Sequence, residues 1–175
     1  SDIVLPIAGA WLGSAYVQAG RAEEALVLLL EAERKGAYRS GGIYNWIHHY
    51  KGLARAHLAS GNLEAAYEAA GQAEDLASRT GELAHLAAAL RIRGDIESTD
   101  PSAGPAAATD TYRRALALAR DRGMRPLEAA CHAELATCCK ALGDATGAAE
   151  HARAAHRLRR DLGLASVEPP GLAAS

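Results

Sequence analysis

Lys51 and Arg55 stand four residues apart in a stretch of helical periodicity, so both cations project from one face, where paired donors can hold a carboxylate or another anion. Cys131 and Cys138, seven apart with His132 beside the first, also share a helix face and carry the ligand types of a soft-metal site. Packing explains them without a metal, because cysteine is among the most buried residue types and the same positions fall on an apolar stripe. His48 and His49 are adjacent, point in different directions on a helix, and make a poor bidentate ligand. Arg153, Arg157, Arg159 and Arg160 gather with His151 and His156 near the end of the last helical segment. Cations there complement the helix macrodipole on a solvated face, which outweighs a nucleic-acid reading. The chain has no glycine-rich phosphate loop, no nucleophile elbow and no histidine pair at metal-ligand spacing on one helix face. The expectation is a protein that is not an enzyme and needs no cofactor or metal.

The elements that carry these side chains recur. Leu12, Gly13, Tyr16, Gly20, Ala25, Leu29 and Ala32 are matched at the same offsets by Leu53, Ala54, His57, Gly61, Ala66, Ala70 and Ala73. Leu135, Ala136, Cys139, Gly143, Ala148, Ala152 and Ala155 repeat the pattern once more. A further copy is split, with Gly94 in the small position of a first helix and Ala108, Tyr112 and Ala115 in a second. In each copy a helix ends at glycine and an alanine-rich helix follows, which is the signature of stacked helix pairs. The small residues Gly13, Ala54, Gly94 and Ala136 are 41, 40 and 42 positions apart.

This pattern resembles the tetratricopeptide repeat. The segment from Tyr112 to Ala119, followed by Gly123 to His132, is similar in particular to the C-terminal repeat region of bacterial multidomain signalling proteins, in which a nucleotide cyclase or a transcription activator is joined to an ATPase module. The resemblance implies an all-α fold, a right-handed α-solenoid of four helix pairs with about eight helices. Its repeat domain spans 1–163, in units of approximately 3–36, 43–79, 82–122 and 125–163, and 164–175 is a disordered tail or linker. The basic repeat has about 34 residues, so each unit here carries six or seven more, in longer helices or in loops such as Ser40, Gly41, Gly42. Thr99 to Pro105, with two prolines and a glycine, reads as the one clear interruption, with Pro105 in the first turn of the helix that follows.

In the geometry of that family the first helix of each pair lines a concave groove. Carried onto this sequence, the groove positions are Ala10, Ser14, Val17 and Gln18; Lys51, Arg55 and Leu58; Arg91, Asp95 and Ser98; Ala133, Thr137 and Lys140. Four cations against one acid predict a weakly positive groove. Lys51 and Arg55 resemble half of a clamp that holds peptide carboxylates, with Ser14 and Ala10 where further polar contacts would stand. Two readings of these charges follow: solvated surface, or capture of an acidic peptide or other anion. The implied role is a non-catalytic interaction or scaffolding module, and the alternative is a ligand-sensing regulatory domain of a cyclase or transcription activator.

The bulk properties fit. A net charge of -2 gives no overall attraction to nucleic acid or anionic lipid, and no apolar run reaches the length of a membrane span. Phe is absent and aromatics are 5%, so alanine supplies much of the 49% apolar content. Three cysteines on one helix cannot easily pair, which favours a reducing cytoplasmic setting. The chain opens on Ser1 without an initiator Met and reads as a piece of something longer. Ile3, Val4, Leu5, Ile7 and Trp11 would form a sticky N-terminal end and a route to self-association.

Overall fold

A computed structural model describes residue 13 and residues 15–35 and 42–164. After a helical stretch at 15–18, seven helices follow: α1 (Ala22–Arg34), α2 (Gly42–Ala59), α3 (Leu63–Arg79), α4 (Leu83–Thr99), α5 (Gly104–Asp121), α6 (Arg125–Ala141) and α7 (Ala145–Asp161). No strand occurs among the described residues. The start of the first expected helix, the loop at Ser40 and Gly41, the sticky N-terminal residues and 165–175 lie outside the described residues.

Each helix packs on the next one in sequence, from α1 against α2 through α6 against α7. Two further contacts decide the shape: α2 touches α4, and α4 touches α6, whereas among the described helices α1 and α3, α3 and α5, and α5 and α7 do not meet. The first helices of successive pairs therefore lie on the inside of the curve and the second helices splay on the outside. This is an α-solenoid of tetratricopeptide-like helix pairs. Burial follows position in the stack. α4, flanked by α2, α3, α5 and α6, buries Ala87, Ala89, Leu90, Ile92, Gly94 and Ile96, while α7 buries only Ala155. Ala152, a repeat position on α7, is exposed where its counterpart Ala70 on α3 is buried, because no described helix packs beyond α7.

One turn design serves both within and between pairs. At the end of α2 the Gly61 N–H donates to Leu58 O at 3.0 Å and the Asn62 N–H to His57 O at 2.9 Å, a Schellman closure that needs Gly61 at φ 77°. Asn62 then caps α3, its side chain accepting from Ala65 N at 3.2 Å. The same pair of bonds recurs at Gly20, Gly81, Gly123, Gly143 and Gly163, and Asp144 caps α7 by accepting from Gly147 N at 2.8 Å. With turns this short, the extra length of the units from α2 onward goes into the helices, 17 or 18 residues each. Replacing Asn62 or Asp144 by alanine should lower stability by about 1 kcal/mol each in a denaturant titration.

The interruption expected at Thr99 to Pro105 is a tight corner between two helices. α4 continues to Thr99 and α5 starts at Gly104, only one residue more than the glycine turns at Gly61, Gly81, Gly123 and Gly143. Asp100 builds the corner: its carboxylate accepts from Ser102 N at 2.8 Å and from the Tyr67 hydroxyl of α3 at 3.1 Å, while its carbonyl accepts from Gly104 N at 3.1 Å. Pro105 fits the first turn of α5, where its missing N–H is not needed.

Inside each pair the small residue of the first helix is matched in size by its facing partner. A Cβ on Gly13 would lie 2.9 Å from Leu29, and one on Gly94 would lie 2.5 Å from the ring of Tyr112. Where the small residue is Ala54, the corresponding residue of the second helix is Ala70. Glycine and a large side chain, or two alanines, fill the same gap.

Candidate functional site: the inner face of the first helices

Lys51 and Arg55 of α2, Arg91 and Asp95 of α4, and Glu134 of α6 come together on the inner side, each partly buried. The Arg91 guanidinium lies 3.8 Å from Asp95 on its own helix and 3.6 Å from Glu134 on the next pair. The Tyr112 hydroxyl donates to Asp95 Oδ1 at 2.8 Å, which fixes the carboxylate from the second helix of the pair. Both nearby carboxylates are thus turned onto Arg91. Burial, then the proximity of Asp95, pushes the Glu134 carboxyl up, and Arg91 opposes this.

The α2 end of the face is different. Lys51 Nζ donates to Nδ1 of His85 at 3.1 Å, so His85 accepts there as a neutral ring. Burial and then the charge of Arg55 bring the Lys51 ammonium down to about 8. Burial also lowers Arg55, with Arg91 adding repulsion and Asp95 relieving part of it. Among the described residues Arg55 forms no ion pair within 4.0 Å, and neither does Lys51. Desolvation holds His48 down at about 4, and its ring packs edge-on against His85 with centroids 4.8 Å apart. Tyr44 donates to Glu82 at 2.6 Å at the rim. Positive charge at α2 thus gives way to mixed charge at α4 and a carboxylate at α6.

The other expected groove residues divide. Thr137 and Lys140 are exposed on α6, and the Thr137 hydroxyl returns to its own helix, donating to Ala133 O at 3.3 Å. Gln18 is exposed; Ser98 donates to Asp95 O at 2.9 Å; Val17 and Leu58 pack against the core. Ser14 and Ala10 lie outside the described residues. The expected balance of four cations to one acid is corrected by Glu134, a second acid that sequence counting missed. Glu134 precedes Thr137 by three residues, so helical spacing alone could have placed it on this face. His85 carried no such signal, since it meets Lys51 only across two helix pairs.

Cys131 and Cys138 lie in a hydrophobic cluster with Leu90, Tyr112 and Leu135, and burial pushes the Cys131 thiol up to about 11. All three cysteines are unpaired and buried. His132 Nε2 accepts from Arg120 at 2.8 Å and its Nδ1 meets His151 Nδ1 at 2.8 Å. Among the described residues no group of three His, Cys, Asp or Glu is placed to hold a metal, and no helix is long and apolar enough to cross a membrane.

The class that fold and face define is a tetratricopeptide-like helical repeat domain, with the first helices lining the inner surface. The chain matches no protein-family model and no curated protein. Solved structures are similar to it. The chain superposes over 93% of its length on a Signal Transduction ATPase with Numerous Domains (STAND) protein with a tetratricopeptide repeat sensor from Pyrococcus horikoshii, with a TM-score of 0.72 and 20% identity. It spans 25% of that protein's length. Over its whole length it is also similar to BtubC (BKLC) from P. vanneervenii, covering 71% of that chain with a TM-score of 0.74 and 19% identity. At these identities the likeness is one of fold.

Proposed function

We propose that the inner face of the first helices binds an acidic peptide or an anionic segment of a partner protein, and that the domain acts as a non-catalytic interaction and scaffolding module. Lys51 and Arg55 carry the charge recognition, Arg91 and Asp95 form its border, and Gln18, Thr137 and Lys140 extend the surface on either side. One observation carries this reading: among the described residues, two half-buried cations sit side by side with no carboxylate within ion-pair distance of either, while the neighbouring Asp95 and Glu134 both pair with Arg91. Desolvated like charges repel, and an incoming anion relieves both. Three buried thiols suit a reducing compartment, and the cytoplasm is the setting proposed.

A fluorescein-labelled peptide rich in Asp and Glu is the probe. Double reversal, Lys51→Glu with Arg55→Glu, should weaken its binding at least tenfold while circular dichroism stays helical, and added salt should weaken the unaltered chain's binding as well. Equal affinity for both proteins would remove these residues from the site. A second reading, that the repeats are the ligand-sensing part of a longer signalling protein such as a cyclase or a transcription activator, draws support from the fold shared with the sensor-bearing STAND protein, of which this chain spans a quarter.

A further inference from the structure

The outer side of the solenoid holds a second polar site of opposite sign. Because α1 and α3 do not touch, a cleft of about 230 Å³ opens between them over α2. Glu33 of α1 forms one wall and Glu68 and Gln72 of α3 the other, with Tyr50, Leu53 and His57 of α2 in the floor. Both carboxylates reach the Tyr50 hydroxyl electrostatically and, after burial, push it up. His57 Nδ1 is buried there with no hydrogen-bond partner among the described residues.

The next step of the same repeat shows what such a cleft is built to hold. Glu74 lies four residues after Ala70, as Glu33 lies four after Leu29, and Arg93 immediately precedes Gly94, as Leu53 precedes Ala54. Arg93 lays its guanidinium against α3: Nε donates to Glu74 Oε1 at 2.5 Å, Cζ lies 5.9 Å from the centre of the Tyr67 ring, and the terminal nitrogen passes over Gly71. In the α1–α3 cleft the matching carboxylate, Glu33, is present, and the matching cation is replaced by Leu53. Among the described residues Glu33 has one ion-pair contact there, 3.4 Å to Nε2 of buried His49, and Glu68 lines the opposite side of the opening.

We infer that the cleft between α1 and α3 is a binding site for a guanidinium group, held by Glu33 and Glu68 over Tyr50 in the way that Glu74 and Tyr67 hold Arg93 one repeat later. The volume suits a head group on a short stem rather than a larger molecule. The chemistry is shared by a free guanidino compound and by an arginine side chain of a partner protein, and the test separates the two.

Agmatine and the capped tripeptide acetyl-Ala-Arg-Ala-amide are titrated into the 175-residue chain, with the corresponding citrulline tripeptide as the neutral isostere. Binding is read from amide and ring resonances of Tyr50 and His57. Saturable shifts with agmatine that fall at least tenfold in affinity for Glu33→Gln with Glu68→Gln assign a free guanidino ligand. Saturable shifts with the arginine tripeptide alone, lost in the same variant, assign a partner's side chain. Both glutamates reach solvent, so the variant should fold, and circular dichroism checks that it does. No saturation with either probe at millimolar concentration, equal binding of the citrulline tripeptide, or undiminished affinity in the double variant would each overturn the inference. The acidic-peptide test on Lys51 and Arg55 is independent of every one of these outcomes.

Discussion

Tyr112→Ala is expected to lower the stability of the domain by about 3–5 kcal/mol, measured by chemical denaturation, the range for emptying a buried aromatic site. The side chain is 1% exposed and its ring lies where a Cβ on Gly94 would sit. Its hydroxyl also fixes Asp95, so truncation leaves a half-buried carboxylate short of one donor. Two companion variants separate these parts. Tyr112→Phe keeps the ring and should lose only about 1–2 kcal/mol from the charge-assisted bond. Gly94→Ala puts a methyl group 2.5 Å from Tyr112 Cε1 and should lose about 1–3 kcal/mol through overpacking. Combining Gly94→Ala with Tyr112→Ala should cost less than the sum, because the methyl then enters vacated space. A loss below about 1 kcal/mol for Tyr112→Ala would contradict the paired small-and-large filling on which the nesting of the helices rests.

Mild acid should destabilise the domain before the carboxylates protonate. His48, His49, His57, His85, His132 and His151 are all held below the ordinary histidine value, with burial the largest cause for each. The folded state therefore resists a proton that the unfolded chain accepts near pH 6.5, so the stability is fully present above that pH and falls as pH drops toward the folded values, about 4 for His48. Most of these rings keep a solvent-exposed flank, which cuts the sum well below the ideal; about 2–4 kcal/mol, or about 5–15 °C in Tm, is expected between pH 7.5 and pH 5.

The α6–α7 contact is the clearest local case. Arg120 donates to His132 Nε2, so the His132 proton resides on Nδ1 and is given to Nδ1 of His151. A further proton on either ring meets Arg120 or the other imidazole, with Arg113 and Arg157 adding repulsion and Glu128, Glu150 and Asp144 opposing it. His151→Gln should flatten part of the pH dependence. A Tm that is constant from pH 7.5 to 5 would contradict the buried placement of these rings.

The fold was legible because its determinants are local and periodic. Gly61, Gly143 and the alanine stripes mark where helices turn and touch, and spacing near forty residues puts each pair on the next. The compensation between Gly94 and Tyr112 was less visible, since size matching is a property of two helices and not of either pattern. The prolines at 101 and 105 marked the break between two helices, with Pro105 at the start of the second, but the Asp100 carboxylate that closes the corner through its Ser102 and Tyr67 donors left no mark in the pattern. On the candidate face, Lys51, Arg55, Arg91 and Asp95 were placed by the groove positions that the repeat resemblance implies. The pairing of Arg91 with Glu134 joins residues 43 positions apart, and its geometry depends on how far the first helices close on one another. Charge balance at that face is therefore a tertiary property, which a count along the sequence misses.

Amide chemical-shift mapping during titration with the acidic peptide tests the central claim most directly. Shifts should concentrate on the inner faces of α2 and α4, around Lys51, Arg55 and Arg91, with the second helices α3, α5 and α7 little changed. Shifts confined to the second helices, with α2 and α4 silent at saturation, would contradict it.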